Sequence, residues 1–180
     1  MSFNRWGRYQ HFIGGKTWVS SANLHGMTQA VSNAGVGTST AWPAANLAIF
    51  IPFLLDFPFT VAQIYAHNGA TASGNIDVGV YAADGSKLVS AGSTAQAGTS
   101  AIQAFNVTDT YLAPGVYYFA VALDNTTATM SSRGSPVATI GQIVGFAEMA
   151  SAFPLPAIAT LASFTRTLYP AMGCVQGTVL

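Results

Sequence analysis

Residues 74–123 read GNIDVGVYAADGSKLVSAGSTAQAGTSAIQAFNVTDTYLAPGVYYFAVAL. Successive side chains of an extended chain point to opposite faces. Ile76, Val78 and Val80 therefore fall on one side, and Asp77, Gly79 and Tyr81 on the other. Ala83-Asp84-Gly85-Ser86 interrupts the alternation with residues that tolerate the positive φ of a tight turn, which predicts Lys87–Ser90 as the returning strand. Ile102–Val107 is the next expected strand. In Ala113-Pro114-Gly115-Val116, Pro presets φ at the second position and Gly accepts a positive φ at the third, which predicts a type II turn. Val116–Leu123 then places Tyr117, Phe119, Val121 and Leu123 on one face and Tyr118, Ala120 and Ala122 on the other. The small residues imply a tightly covered second face, with a neighbouring subunit as one source of cover. Together these devices predict an all-β fold, an antiparallel β-sandwich of jelly-roll-like type with an extended N-terminal arm.

Outward from this stretch, the chain reads as one domain of 180 residues, long enough to bury about 70% of its extended surface. Leu47–Leu55 is apolar on both faces, and its Pro52 predicts an edge or bulged strand. Phe59–Ala66 alternates less cleanly. Toward the C-terminus, Gly141–Ala150 is expected as a short helix, and Phe153-Pro154-Leu155-Pro156 as an extended path, since proline forbids a helix through its position. Residues 1–43 differ in character: they hold Arg5, Arg8 and Lys16, all three Trp (Trp6, Trp18 and Trp42), and His11 and His25. They read as an arm with a short strand around Lys16–Ser20, leaving 44–180 as the sandwich. Three indole rings in water would expose much apolar area, so the arm should pack on its own sandwich or on a neighbour.

Composition restricts function more than it assigns it. Charged residues are 7% of the chain, against roughly 25% in an ordinary soluble chain, and the formal net charge is zero. Such a surface gives little electrostatic protection against association, so a life among copies of itself or other partners is expected. Six cations cannot build the basic stripe that nucleic acid requires. Cys174 stands alone, which removes an intrachain disulfide and a Cys-based metal site. The opening residues lack the apolar core of a signal peptide, and Leu47–Leu55, the longest greasy run, is too short for a membrane span.

Chemistry-bearing patterns are sparse. Glu148 is the only Glu and there are five Asp, with no pair spaced for general acid–base work. His11, His25 and His67 have no metal-ligand spacing. Gly35-Val36-Gly37 and Gly141-Gln142-Ile143-Val144-Gly145 lack the Gly-Lys-Ser/Thr that completes a phosphate loop. Asp77, Asp84, Asp109 and Asp124 read as turn caps or solvent-facing groups ahead of calcium ligands, because no DxDxD cluster joins them. The chain is accordingly expected to be non-enzymatic, with no catalytic residue, cofactor or metal. Two aromatic groupings remain. Arg5, Trp6, Arg8 and Tyr9, with Trp18, form the one basic-aromatic cluster, and Arg and Trp are the side chains most enriched at interface hot spots. That cluster is expected to be an assembly anchor, or an arm folded over its own sandwich. Trp18 and Trp42 are the candidates for a glycan-stacking platform.

Three runs carry a resemblance: Asn46-Leu47-Ala48-Ile49-Phe50-Ile51-Pro52-Phe53, then Ser73-Gly74-Asn75-Ile76-Asp77-Val78-Gly79-Val80-Tyr81, then Leu112-Ala113-Pro114-Gly115-Val116-Tyr117-Tyr118. In this order and spacing, over residues 44–175, the chain resembles a small β-sandwich domain of virion proteins from tailed bacteriophages and prophages. Phe153-Pro154-Leu155-Pro156-Ala157 is similar to the Leu-Pro-Ala segment near the end of such proteins. The resemblance implies a structural protein located in the virion: capsid decoration (cement), head fibre, or a tail-fibre or tip component. It implies no catalytic residues. With neither repeat nor heptad region for a fibre shaft, the short chain fits a capsid-bound cement protein, a homo-oligomer with the trimer favoured. Its partners would be itself and the major capsid protein or other virion proteins. The alternative is a tail-fibre or tail-tip module that recognises a host-surface glycan.

Overall fold

The computed structural model describes residues 18–20, 38–55, 57–134 and 138–176. In chain order the elements are β1 (Trp18–Ser20), β2 (Thr38–Ala41), β3 (Leu47–Leu55), β4 (Phe59–His67), β5 (Asn75–Ala82), β6 (Lys87–Ser90), β7 (Thr94–Ala95), β8 (Ile102–Leu112), β9 (Gly115–Leu123), β10 (Thr129–Gly134), α1 (Ala138–Ile143), β11 (Ala147–Met149), β12 (Ala162–Ser163), β13 (Leu168–Pro170) and β14 (Met172–Val175). All pairing among the described residues is antiparallel. One layer is the large sheet β12-β11-β3-β9-β5-β6, with β7 also paired to β5. The other holds two smaller sheets, β1-β14-β4-β8 and β13-β10-β2, stitched together by backbone bonds from His67 N to Ala171 O and from Ala171 N to Ser131 O. The fold is therefore an all-β antiparallel sandwich.

The main core lies between the layers. Ile76, Val78 and Val80 of β5 and Phe119, Val121 and Leu123 of β9 enter it together, with Ile49, Ile51 and Phe53 of β3. They meet Val61 and Ile64 of β4 and Met172 and Cys174 of β14. Phe53 and Phe119 stack with ring centroids 4.0 Å apart. The alternation expected for β5 and β9 is thus the alternation found. β4 reads poorly because its pairing with β8 slips between Val61 and Gln63. The inward residues are Phe59 and Val61 before the irregularity and Ile64 and Ala66 after it, so the period of two changes phase in mid-strand.

The outer face of the large sheet is covered by the chain itself. Ala48, Phe50, Tyr81, Ala120 and Ala122 form a second buried cluster with Ala152, Leu155 and Ala159 of the segment that follows β11. This strap runs extended, as its prolines require. It is tied by Ala152 N to Asn46 O, Lys87 N to Ala157 O and Ala159 N to Gly85 O, at 2.7, 2.9 and 2.8 Å. A Cβ at Gly79 would stand 3.0 Å from Leu155 Cδ1, so the missing side chain is what lets Leu155 lie against β5. The cover comes from within one chain and not from a neighbour.

Four local expectations change. Pro52 does not put β3 at an edge, since β3 pairs with β9 over its whole length and with β11 at Ala48–Phe50. β11 has ended before Pro52, so the missing N–H falls where β3 has β9 alone beside it. Gly115 takes no positive φ and begins β9. Leu112 and Gly115 lie in different layers, and Ala113-Pro114 arches between them where a type II turn was expected. The helix is Ala138–Ile143 rather than 141–150. Bonds from Phe146 N to Gly141 O and Gly145 N to Gln142 O, with Gly145 at φ 84°, close it as a Schellman motif, and β11 follows. Finally, residues 1–43 contribute a strand that was not expected, β2, which pairs with β10, while β1 falls within the strand expected around Lys16–Ser20 and pairs with β14.

Because Ala122 is fully buried beneath the strap, Ala122→Leu should destabilise the fold by about 1–3 kcal/mol through overpacking. Urea denaturation at low protein concentration reads the change, and an unchanged midpoint would mean that the face is open.

Candidate functional site

The sequence singled out six residues. Arg5, Trp6, Arg8 and Tyr9 lie outside the described residues. Trp18 opens β1, opposite Val175. Trp42 is core: it is 1% exposed, and its indole N–H donates to Leu47 O at 3.1 Å. A ring buried on both sides cannot stack on a sugar, so Trp42 is removed as a glycan platform. The reason it was misread is local. Thr38–Ala41 alternates polar and small residues without an apolar face, so nothing in the sequence announces a strand leading into the core.

Three polar clusters emerge instead. The first pins the strap. Asp77 is fully buried on the outer face of β5, and its Oδ2 accepts from Leu155 N at 2.9 Å. Lys87 Nζ donates to Leu155 O at 2.7 Å, and Tyr81 Oη donates to Pro156 O at 2.5 Å. The strap's Pro154 and Pro156 bring no N–H, so these side chains serve the polar atoms that remain. Burial holds the Asp77 carboxyl above the ordinary aspartate range, against the pull of the Leu155 N–H and the Lys87 charge. Burial raises the Tyr81 hydroxyl too, with the Asp77 charge adding to it. Asp77 is therefore neither a turn cap nor solvent-facing, as the sequence had suggested. The available signal was a carboxylate sharing its strand face with Gly79 and Tyr81, where an uncompensated charge would be costly.

The second cluster fills the end of the sandwich where the two smaller sheets meet. Asn68 Nδ2 donates to Ala97 O and to Gln103 Oε1 at 2.6 and 2.9 Å. Gln96 Nε2 donates to Asn68 Oδ1 and to Thr129 O, both at 3.0 Å. His67 Nδ1 lies 2.7 Å from Ser131 Oγ and 3.0 Å from Asn68 O. A Ser–His pair at this distance invites a nucleophile reading. However, Ser131 Oγ donates its proton to Asn68 O at 3.1 Å, and both side chains are buried, so the hydroxyl is neither activated nor reachable.

The third cluster is Glu148, which accepts from Thr165 Oγ1 at 2.8 Å and from Arg166 Nε at 3.2 Å. It joins β11 to the loop after β12. Asp84 caps its turn as expected, held below the usual carboxylate range by the Ser86 hydroxyl and backbone N–H. Burial pushes the Cys174 thiol well above its ordinary value, which leaves it inert. Among the described residues no three His, Cys, Asp or Glu side chains gather as a metal site, and no helix is long and apolar enough to cross a membrane.

Several large apolar side chains are exposed. Leu54 and Val116 face each other across β3 and β9, 63% and 49% exposed. They lie on the outer face of the large sheet, beyond the buried cluster under the strap. Tyr111, Ile143 and Ile158 are also exposed. Compared with family models, curated proteins and solved structures, the chain matches none of them.

Asp77 gives a signed pH dependence. A carboxyl whose folded pKa is raised contributes stability that is full below the ordinary aspartate range and is lost as pH rises through the folded value. The urea stability of the wild type minus that of Asp77→Asn should therefore fall with rising pH and level off once Asp77 is ionised. A difference that stays flat or rises would show that burial does not raise the carboxyl's affinity for its proton.

Proposed function

We propose that this chain is a non-enzymatic structural protein of a tailed-phage virion, a capsid-bound decoration protein that works as a homo-oligomer, most simply a trimer. The observation that carries the reading is the exposed Leu54–Val116 pair on a nearly uncharged surface, in a sandwich whose buried polar groups are spent on its own strap and sheet junction. Such a surface favours contact with other protein, since it has little charge to keep it apart from neighbours. The Ala-rich face is occupied by the strap. Contacts are therefore assigned to the Leu54–Val116 end of the sheet and to the anchor Arg5, Trp6, Arg8, Tyr9 and Trp18, whose partner is the major capsid protein. The glycan-binding alternative loses Trp42 to the core.

The test is the copy number of the polypeptide in purified particles, by quantitative mass spectrometry against the major capsid protein. The full chain should be present at a one-to-one ratio or a simple fraction of it. A chain lacking residues 1–17, which keeps β1, should fold and yet be lost from the particles. A few copies per particle would move the protein to the tail or a vertex. Full occupancy by the shortened chain would remove Arg5, Trp6, Arg8 and Tyr9 from the anchor.

A further inference from the structure

We infer that His67 is an acid-sensitive latch that holds the β13-β10-β2 sheet onto the β1-β14-β4-β8 sheet. The residue sits at the junction of the two. Its backbone N donates to Ala171 O, in the link between β13 and β14, and Ala171 N donates to Ser131 O of β10. The adjacent Asn68 forms an isolated bridge with Met130 of β10. Across this backbone stitching lies the ring, 4% exposed, with Nδ1 directed at Ser131 Oγ and Asn68 O.

The hydrogen bonds fix the neutral ring's tautomer. Ser131 Oγ gives its own proton to Asn68 O. It must therefore accept from the ring, which places the imidazole proton on Nδ1 and leaves Nε2 bare. Nε2 is buried and finds no partner among the described residues. A second proton has only that atom to occupy, so it would create a buried imidazolium with an unpaired N–H.

Among the described residues nothing compensates that charge. β10 offers the Ser131 hydroxyl, the residue's own strand offers the Asn68 carbonyl, and β8 opposes the ring's backbone with Ile102. β14 carries the Cys174 thiol, which is buried in the core and resists ionisation. Among the described residues no carboxylate or ammonium acts on the ring, whose affinity for a proton is lowered chiefly by burial and raised only in part by the Asn68 carbonyl. The sign follows. An opened junction binds the proton better than a closed one. The latch is thus at full strength above the ordinary histidine range, about pH 6.5, and is lost as pH falls through the folded value. The device is independent of the virion reading.

Hydrogen exchange on the intact protein, corrected for the intrinsic rate and compared at about pH 7.5 and about pH 5.5, tests the latch. Protection in β2, β10 and β13 should drop at the lower pH by as much as about tenfold, the ceiling one proton can set between these two pH values, while β3, β5 and β9 keep theirs. His67→Gln, whose amide takes no proton, should show no such selective drop. The same drop in the variant, a uniform drop across both layers, or none in the wild type would overturn the proposal. If the variant does not fold, a ring proton–carbon NMR titration of the wild type decides. Loss of junction protection must follow protonation of His67, and a ring that titrates like an ordinary histidine with the junction still protected would overturn the latch.

Discussion

The structure depends on closing the second face of the large sheet. β3, β5 and β9 send their branched and aromatic side chains into the main core, and their reverse faces carry Ala48, Phe50, Tyr81, Ala120 and Ala122. Left open, that face would be a broad apolar patch on a chain with few charges to keep it soluble. The strap after β11 removes it by lying extended across the small residues, with Leu155 over the bare backbone of Gly79. Proline suits this path twice over, since it favours an extended chain and brings no N–H that burial would orphan. The cost is a buried carboxylate, and Asp77 is tolerated because it receives the Leu155 N–H while Lys87 holds the carbonyl of the same residue.

The opposite layer solves a different problem. It is made of two short sheets that share no continuous ladder, and it is joined by a few backbone bonds at Ala171 and by the polar cluster around His67, Asn68 and Gln96. Apolar packing beneath both sheets is common property of the core, so it does not choose between a closed and an opened junction as sharply as directional bonds do. The polar groups set the geometry there. This explains why an interior with so few ionisable groups still buries a histidine, an asparagine, a glutamine and a serine at one place.

Much of the fold was legible because it is local. The alternation in β5 and β9, the Asp84-Gly85 turn and the return at Lys87–Ser90 were all written in neighbouring residues, and all appear as read. The double apolar face of Leu47–Leu55 also announced burial on both sides, although Pro52 pointed to an edge that exists only locally. What the sequence hid was non-local. Asp77 meets Leu155 across 78 positions, and His67 meets Ser131 across 64. No periodicity encodes such meetings. The phase change in β4 erased the alternation that would have marked its inward residues. Trp42 looked like a surface ring because the strand before it has no apolar face, while the partner that buries it comes from the core.

The central claim is that the strap closes the large sheet from within one chain. Amide exchange of Leu155, followed by NMR across a range of protein concentrations, tests it most directly. The account predicts that the Leu155 N–H, bonded to a buried carboxylate, is protected to the same order as the amides of β9, at every concentration. Exchange at the rate of an open loop, or protection that grows with concentration, would contradict it.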